Sequence, residues 1–137
     1  KFTVAFSKRG LIGEYGISWA LPRLVGQANA MDLMFSSRVI KAPEALAMGM
    51  VNKVLPDDQL MEFAMAYASD LAMNVSPSSM AVMKRQIYAD YGNDVSRSTA
   101  EALRLMQESF TRPDFKEGVQ SFLQKRQAEF PPVNPNI

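Results

Sequence analysis

The sequence predicts an α/β protein, a half-domain of turns and short extended pieces followed by a helical region. Three observations carry that prediction. Phe2, Val4 and Phe6 alternate along the first residues, as apolar side chains do on one face of a strand. Gly10, Gly13, Gly16 and Gly26 punctuate the next stretch, where turns are needed more than regular structure. Near residue 56 the composition changes, and four helical stretches with short links follow. The division expected is 1–55 for the core piece and 56–137 for the helical region with its proline-rich tail.

After the expected strand, Ser7-Lys8-Arg9-Gly10 reads as a turn. Glu14 to Leu21 suits a short helix, which Pro22 should end unless it begins the next element. Leu24, Ala28, Met31, Leu33 (or Met34) and Phe35 mark an amphipathic helix from about Pro22 to Ser36. Pro43 suits the first turn of a short helix to Met48, and Gly49 its stop. Met50 to Leu55 reads as a short extended segment.

Pro56-Asp57-Asp58 opens a long helix, with acids against the positive end of its dipole. Leu60, Phe63, Tyr67 and Leu71 form its stripe. Ser76 and Pro77 make an N-cap and first-position pair for the next helix, whose stripe is Met80, Met83, Ile87 and Tyr91. Asp94 is a plausible cap for the third, striped by Val95, Thr99, Leu103, Met106 and Phe110. The last helix carries Phe115, Val119, Phe122 and Leu123. Pro131-Pro132-Val133-Asn134-Pro135 cannot continue it and is expected to lie irregularly on a surface.

Composition narrows the chemistry. Among 137 residues, 47% are hydrophobic and 21% charged, which is globular composition. Fifteen basic residues against 14 acidic leave a formal charge of +1, so neither nucleic acid nor a membrane is expected as a partner. The sequence has no cysteine and no histidine, so thiol and imidazole mechanisms are excluded and a zinc site is disfavoured. Acid–base work then falls to carboxylates, Lys, Tyr or water. No apolar run approaches the roughly 18–20 residues that span a bilayer, and no signal peptide is visible. A cytoplasmic location is the default expectation. A chain opening on a strand also suggests a piece of something larger, because that strand needs neighbours.

Glu14 is the sharpest site candidate. If Leu11, Ile12, Ile17, Trp19 and Leu21 face it, poor solvation would raise its pKa towards that of a useful general acid or base. The plainer reading is an exposed carboxylate in a helix's first turn. The glycine spacing around it is neither G-x-G-x-x-G nor a P-loop. Ten methionines could form adaptable grooves, but at helical spacing they more often fill a core. Lys84-Arg85 reads as a solvated face. Lys125-Arg126 beside Phe122 could meet a nucleotide by phosphate contact and stacking, or could simply be an amphipathic helix end.

The order of segments adds a further signal. Arg9-Gly10-Leu11-Ile12-Gly13-Glu14 is followed by Leu21-Pro22-Arg23-Leu24-Val25-Gly26. Next come Ser37-Arg38-Val39-Ile40-Lys41-Ala42-Pro43-Glu44-Ala45 and Gly49-Met50-Val51-Asn52-Lys53-Val54. Near the end stands Glu117-Gly118-Val119-Gln120-Ser121-Phe122-Leu123-Gln124-Lys125-Arg126. Taken together and in this order, these stretches resemble the C-terminal half of the enoyl-CoA hydratase/isomerase (crotonase) family.

That resemblance implies the C-terminal part of a ββα spiral in 1–55, followed by a mostly helical trimerisation region in 56–137, with homotrimers or hexamers expected. It implies enzymatic hydratase or isomerase chemistry on acyl-CoA thioesters, in which an oxyanion hole stabilises an enolate. Coenzyme A enters as part of the substrate, with no prosthetic group. The residues that form that hole, and those that bind the CoA adenine, would come from a missing N-terminal half or a second chain. Glu14 matches a position that is the catalytic acid/base in some members. Tyr15, Ile17 and Trp19 would line the acyl pocket. Phe122 and Lys125 match positions that reach a neighbouring subunit's CoA, the Lys near phosphate and the Phe near adenine. The contrasting expectation is a non-catalytic oligomeric scaffold of the same fold.

Overall fold

The computed structural model describes residues 1–133. Asn134 and Pro135 of the expected irregular tail lie outside the described residues. The chain divides into two compact units, 1–59 and 60–137.

In the first unit the expected strand is reduced to one antiparallel bridge. Phe2 and Ile40 exchange backbone hydrogen bonds of 3.0 and 2.9 Å. The alternating pattern has its apolar residues, but among the described residues no neighbouring strand continues the ladder, and a lone pair does not make a sheet. Ser7–Arg9 forms a 3-10 turn that Gly10 closes at φ 69. Helix α1 (Ile17–Val25) runs straight through Pro22, contrary to the expected stop. Burial of Leu21 and Val25 on one face holds it together despite the lost N–H. Gly26, at φ 80, then separates α1 from α2 (Gln27–Ser36). Pro22 therefore belongs to the earlier helix, and Gly26 makes the boundary.

The expected stripe of α2 is also rotated. Leu33 is buried as the stripe predicts, but it is joined by Ala30 outside the stripe, whereas Leu24, Met31 and Phe35 are exposed. Helix α3 (Ala42–Ala47) matches expectation, with Pro43 in its first turn and Gly49 at φ 77 beyond its end. Met50 to Leu55 forms no paired strand; Met50 to Asn52 are bends. Leu21, Val25, Ala30, Leu33, Ile40 and Ala45 form the core of this unit, and Val4, Ile17, Met34 and Met48 pack around it. The Arg38 guanidinium pairs with Asp32 at 2.7 Å and Glu44 at 2.6 Å, tying the end of α2 to α3.

Helix α4 (Asp57–Asn74) starts where the paired acids predict, and lies mostly in the second unit. None of its residues is buried; Phe63 and Tyr67 of its stripe stack with centroids 6.5 Å apart. Helix α5 (Pro77–Asp90) has the expected cap, as the Ser79 N–H donates to Ser76 Oγ at 3.0 Å. Helix α6 (Val95–Ser109) has Asp94 as its cap, accepting from the Arg97 N–H at 2.9 Å. Helix α7 (Pro113–Gln124) follows.

The interior of the second unit is not the one its stripes predict. Val82 and Leu105 are its buried apolar residues among those described, joined by Ser76, Ser78, Asp114 and Ser121. Met83, Ile87, Leu103, Met106, Phe115 and Leu123 all remain exposed. Periodicity identifies faces that gain from burial, but burial also needs an opposing surface, and this unit alone does not supply one.

Candidate functional site

The first unit holds a cavity of about 480 Å³ lined by Val4, Phe6, Arg9, Glu14, Tyr15 and Ile17, together with Thr3, Ala5 and Leu11. Its construction is local. Ser37, buried at the end of α2, donates from Oγ to the Val4 carbonyl at 2.7 Å, and its hydroxyl lies 2.6 Å from that of Ser7. Thr3 Oγ1 donates to the Ser37 carbonyl at 3.3 Å. The N-terminal segment is therefore fixed to α2 by side-chain hydrogen bonds, where a sheet ladder would otherwise hold it.

On the opposite wall, Glu14-Tyr15-Gly16 turns into α1. Tyr15 adopts φ 53 and Gly16 φ 75, two consecutive left-handed residues. For Tyr15 that conformation is sterically unfavourable. The Ile17 N–H then donates to the Glu14 carbonyl at 3.0 Å, which starts the helix. Gly13 allows close approach here, since a Cβ on it would lie 2.7 Å from the Met34 methyl and 3.2 Å from Ile17 Cγ2.

Glu14 is half-buried at this wall. Of its apolar neighbours, Leu11 and Ile17 share the cavity, whereas Ile12 is exposed. Tyr15 lines the cavity yet is 97% exposed. Trp19 is not among the lining residues. Its ring lies beneath the Arg23 guanidinium, 4.1 Å from the centroid, in a cation–π contact. Of the expected residues, Glu14, Tyr15 and Ile17 therefore converge, and Trp19 does not join them here.

Sequence reading missed Val4 and Phe6 as cavity walls. The alternation at Phe2, Val4 and Phe6 was the available signal for the apolar pair. Arg9, which opens the first of the stretches that resemble the family, lines the cavity as well. Its guanidinium donates to the Ala5 carbonyl at 2.7 Å, which curls it back over the same turn.

Phe122 and Lys125 belong to the second unit, on α7 and at its C-terminus. Phe122 is 82% exposed and borders a cleft of about 480 Å³ with Phe115, Val119, Leu123, Phe130 and Arg112. Lys125 caps α7 with φ 52. Next to it, Arg126 Nη1 and Nη2 reach the two Glu117 carboxylate oxygens at 2.6 and 2.9 Å. The Glu129 backbone N–H also donates to Glu117, at 2.7 Å. Chiefly through the Arg126 hydrogen bond, and then that of Glu129, the Glu117 carboxyl is held down at about 2.

Among the described residues no helix is long and apolar enough to cross a membrane.

Residues 1–132 match the family model described as Enoyl-CoA hydratase/isomerase. A probable enoyl-CoA hydratase of Rhodobacter capsulatus is 36% identical over 129 residues, which are 94% of this chain and 50% of that protein. The 1,2-epoxyphenylacetyl-CoA isomerase of Escherichia coli is 33% identical over 135 residues, 95% of this chain and 49% of its own. Among solved structures, a probable enoyl-CoA hydratase/isomerase from Mycobacterium abscessus superposes with a TM-score of 0.90 at 26% identity, covering 96% of this chain and 53% of that one. The chain thus spans about half the length of the curated relatives it matches.

Proposed function

Because the chain belongs to the enoyl-CoA hydratase/isomerase family, we propose that it is the C-terminal part of an enzyme that moves protons on acyl-CoA thioesters, with Glu14 as the acid/base. The observation that carries this reading is the convergence of Glu14 with Tyr15, Ile17, Val4 and Phe6 around one cavity. Such a cavity offers a carboxylate to a substrate whose reacting part is apolar. The first unit would then be the end of the family's ββα spiral. Backbone donors for the thioester oxygen would come from another segment, of this or a second polypeptide. Trimers or hexamers would bring neighbouring subunits to the CoA.

A single carboxylate suffices for a double-bond shift. On a 3-enoyl thioester, Glu14 takes a proton from C2, and the electron pair runs into the thioester to give a dienolate held by the oxyanion donors. The same carboxyl returns the proton at C4, leaving the 2-enoyl product and an ionised Glu14. Hydration would need Glu14 together with a second group upstream. Coenzyme A is the handle of the substrate in either case, and the chemistry needs no prosthetic group.

The test is Glu14→Gln in the whole enzyme, assayed on 3-enoyl- and 2-enoyl-CoA. The variant keeps its size and fold but loses the base, so kcat is expected to fall about 100-fold or more, within the range typical of general acid–base residues. Unchanged turnover on every enoyl-CoA tested would remove Glu14 from the mechanism.

A further inference from the structure

The resemblance sets Lys125 near phosphate and not its neighbour Arg126, although both are cations at one helix end. Their surroundings give a physical reason. Arg126 is consumed internally: its guanidinium forks onto both oxygens of Glu117, and its Nε donates to Gln124 Oε1 at 2.7 Å. A third contact runs from the same guanidinium to the Gln127 carbonyl at 3.0 Å. Lys125 makes no ion pair among the described residues.

Lys125 also occupies a position where glycine is the usual choice. Its N–H donates to the Phe122 carbonyl at 3.2 Å, and the Arg126 N–H donates to the Ser121 carbonyl at 3.1 Å. This is the Schellman pairing that ends a helix on a left-handed residue. A side chain there is disfavoured, and it persists only where the surroundings over-determine the backbone. The surroundings do so from the C-terminal side. Glu117 grips Arg126 and also accepts from the Glu129 N–H, so the chain on that side of Lys125 is tied back to α7. Phe130 then lies against Gly118, where an added Cβ would be 3.7 Å from its ring.

We infer that Glu117 and Arg126 are positioning residues, which clamp the turn so that Lys125 is the cation left to meet a phosphate of coenzyme A, beside the exposed ring of Phe122. This rests on the CoA reading given above and adds a division of labour within it. The clamp pre-pays the ordering of a turn that binding would otherwise have to freeze, so its loss weakens binding through Lys125 and not through general unfolding.

The experiment is a calorimetric titration of coenzyme A into the whole protein, as wild type, Lys125→Ala, Glu117→Gln, Arg126→Lys and the Lys125→Ala/Glu117→Gln double variant. Loss of one charge-assisted contact to phosphate is expected to raise Kd about five- to tenfold for Lys125→Ala. Glu117→Gln and Arg126→Lys are each expected to raise it about threefold. The double variant is expected to match Lys125→Ala alone, because the clamp acts through that side chain. Arg126→Lys keeps the charge and serves as the test if Glu117→Gln does not fold. An additional threefold loss in the double variant, or wild-type affinity in both clamp variants, overturns the inference while CoA binding stands. Wild-type affinity in Lys125→Ala overturns it too. Failure of the wild-type protein to bind coenzyme A would instead overturn the CoA reading itself.

Discussion

Asp114 shows how much a single buried side chain can organise. It is 7% exposed, and its two oxygens accept from Ser76 Oγ at 2.5 Å and Ser78 Oγ at 3.2 Å. Ser76 is at the same time the N-cap of α5, so one carboxylate fastens the start of α7 to the start of α5. Asp114→Ala would leave two buried hydroxyls without their acceptor, at a cost of about 1–3 kcal/mol for each such group. Asp114→Asn keeps an acceptor oxygen and should cost less. Denaturant midpoints of the two variants in the whole protein check this, and equal midpoints would refute the assignment. The sequence marked Ser76 as a cap through its place before Pro77, a local signal. It carried no mark for Asp114, because that partnership joins residues 38 positions apart. The sequence singled out Glu14, yet Val4 and Phe6, which line the same cavity, come from the N-terminal segment and meet it only after folding.

At the level of elements, α7 and the strap that follows it respond to acid in a defined direction. The Glu117 carboxyl is lowered from 4.5 to about 2, first by the Arg126 hydrogen bond and then by the Glu129 N–H. A group whose pKa is depressed on folding stabilises above its ordinary pKa and loses that contribution as pH falls. The strap is therefore expected to be held at neutral pH and released between about pH 4.5 and about 2. A carbon-detected NMR titration of the Glu117 carboxyl reads this directly. A midpoint at the ordinary value would show that the fork with Arg126 does not persist in solution. Both groups are solvent-accessible, so the effect on overall stability is expected to be small at physiological salt. Helix ends were the most legible feature at this scale: the Ser76 and Asp94 caps, the acids opening α4 and the Gly49 stop all rest on contacts within a few residues. Pro22 was misread because burial of Leu21 and Val25 outweighs the hydrogen bond that proline removes.

For the whole molecule, the balance of exposed apolar surface matters most. Ile87, Met106, Phe110, Phe122 and Leu123 are exposed in the second unit, and each lies on a stripe that the sequence marks for burial. Isolated monomeric proteins rarely keep such surface uncovered. Purified residues 1–137 are therefore expected to aggregate, or to need another chain, and, on the mechanism proposed above, to be inactive unless another segment supplies the oxyanion donors. Light scattering with an enoyl-CoA assay checks both expectations. A monodisperse monomer that turns over an enoyl-CoA would contradict them.

Family, helix ends and the lack of thiol and imidazole side chains in this sequence were all legible in the residues themselves. Each depends on identity and short spacing, which folding does not alter. Which face of each helix is buried, which wall Glu14 meets and which cation of Lys125-Arg126 remains without an ion pair among the described residues were decided only in three dimensions. Those outcomes depend on contacts between distant segments, where one competing partner, such as Glu117 for Arg126 or Arg23 for Trp19, redirects a side chain that the sequence alone leaves open.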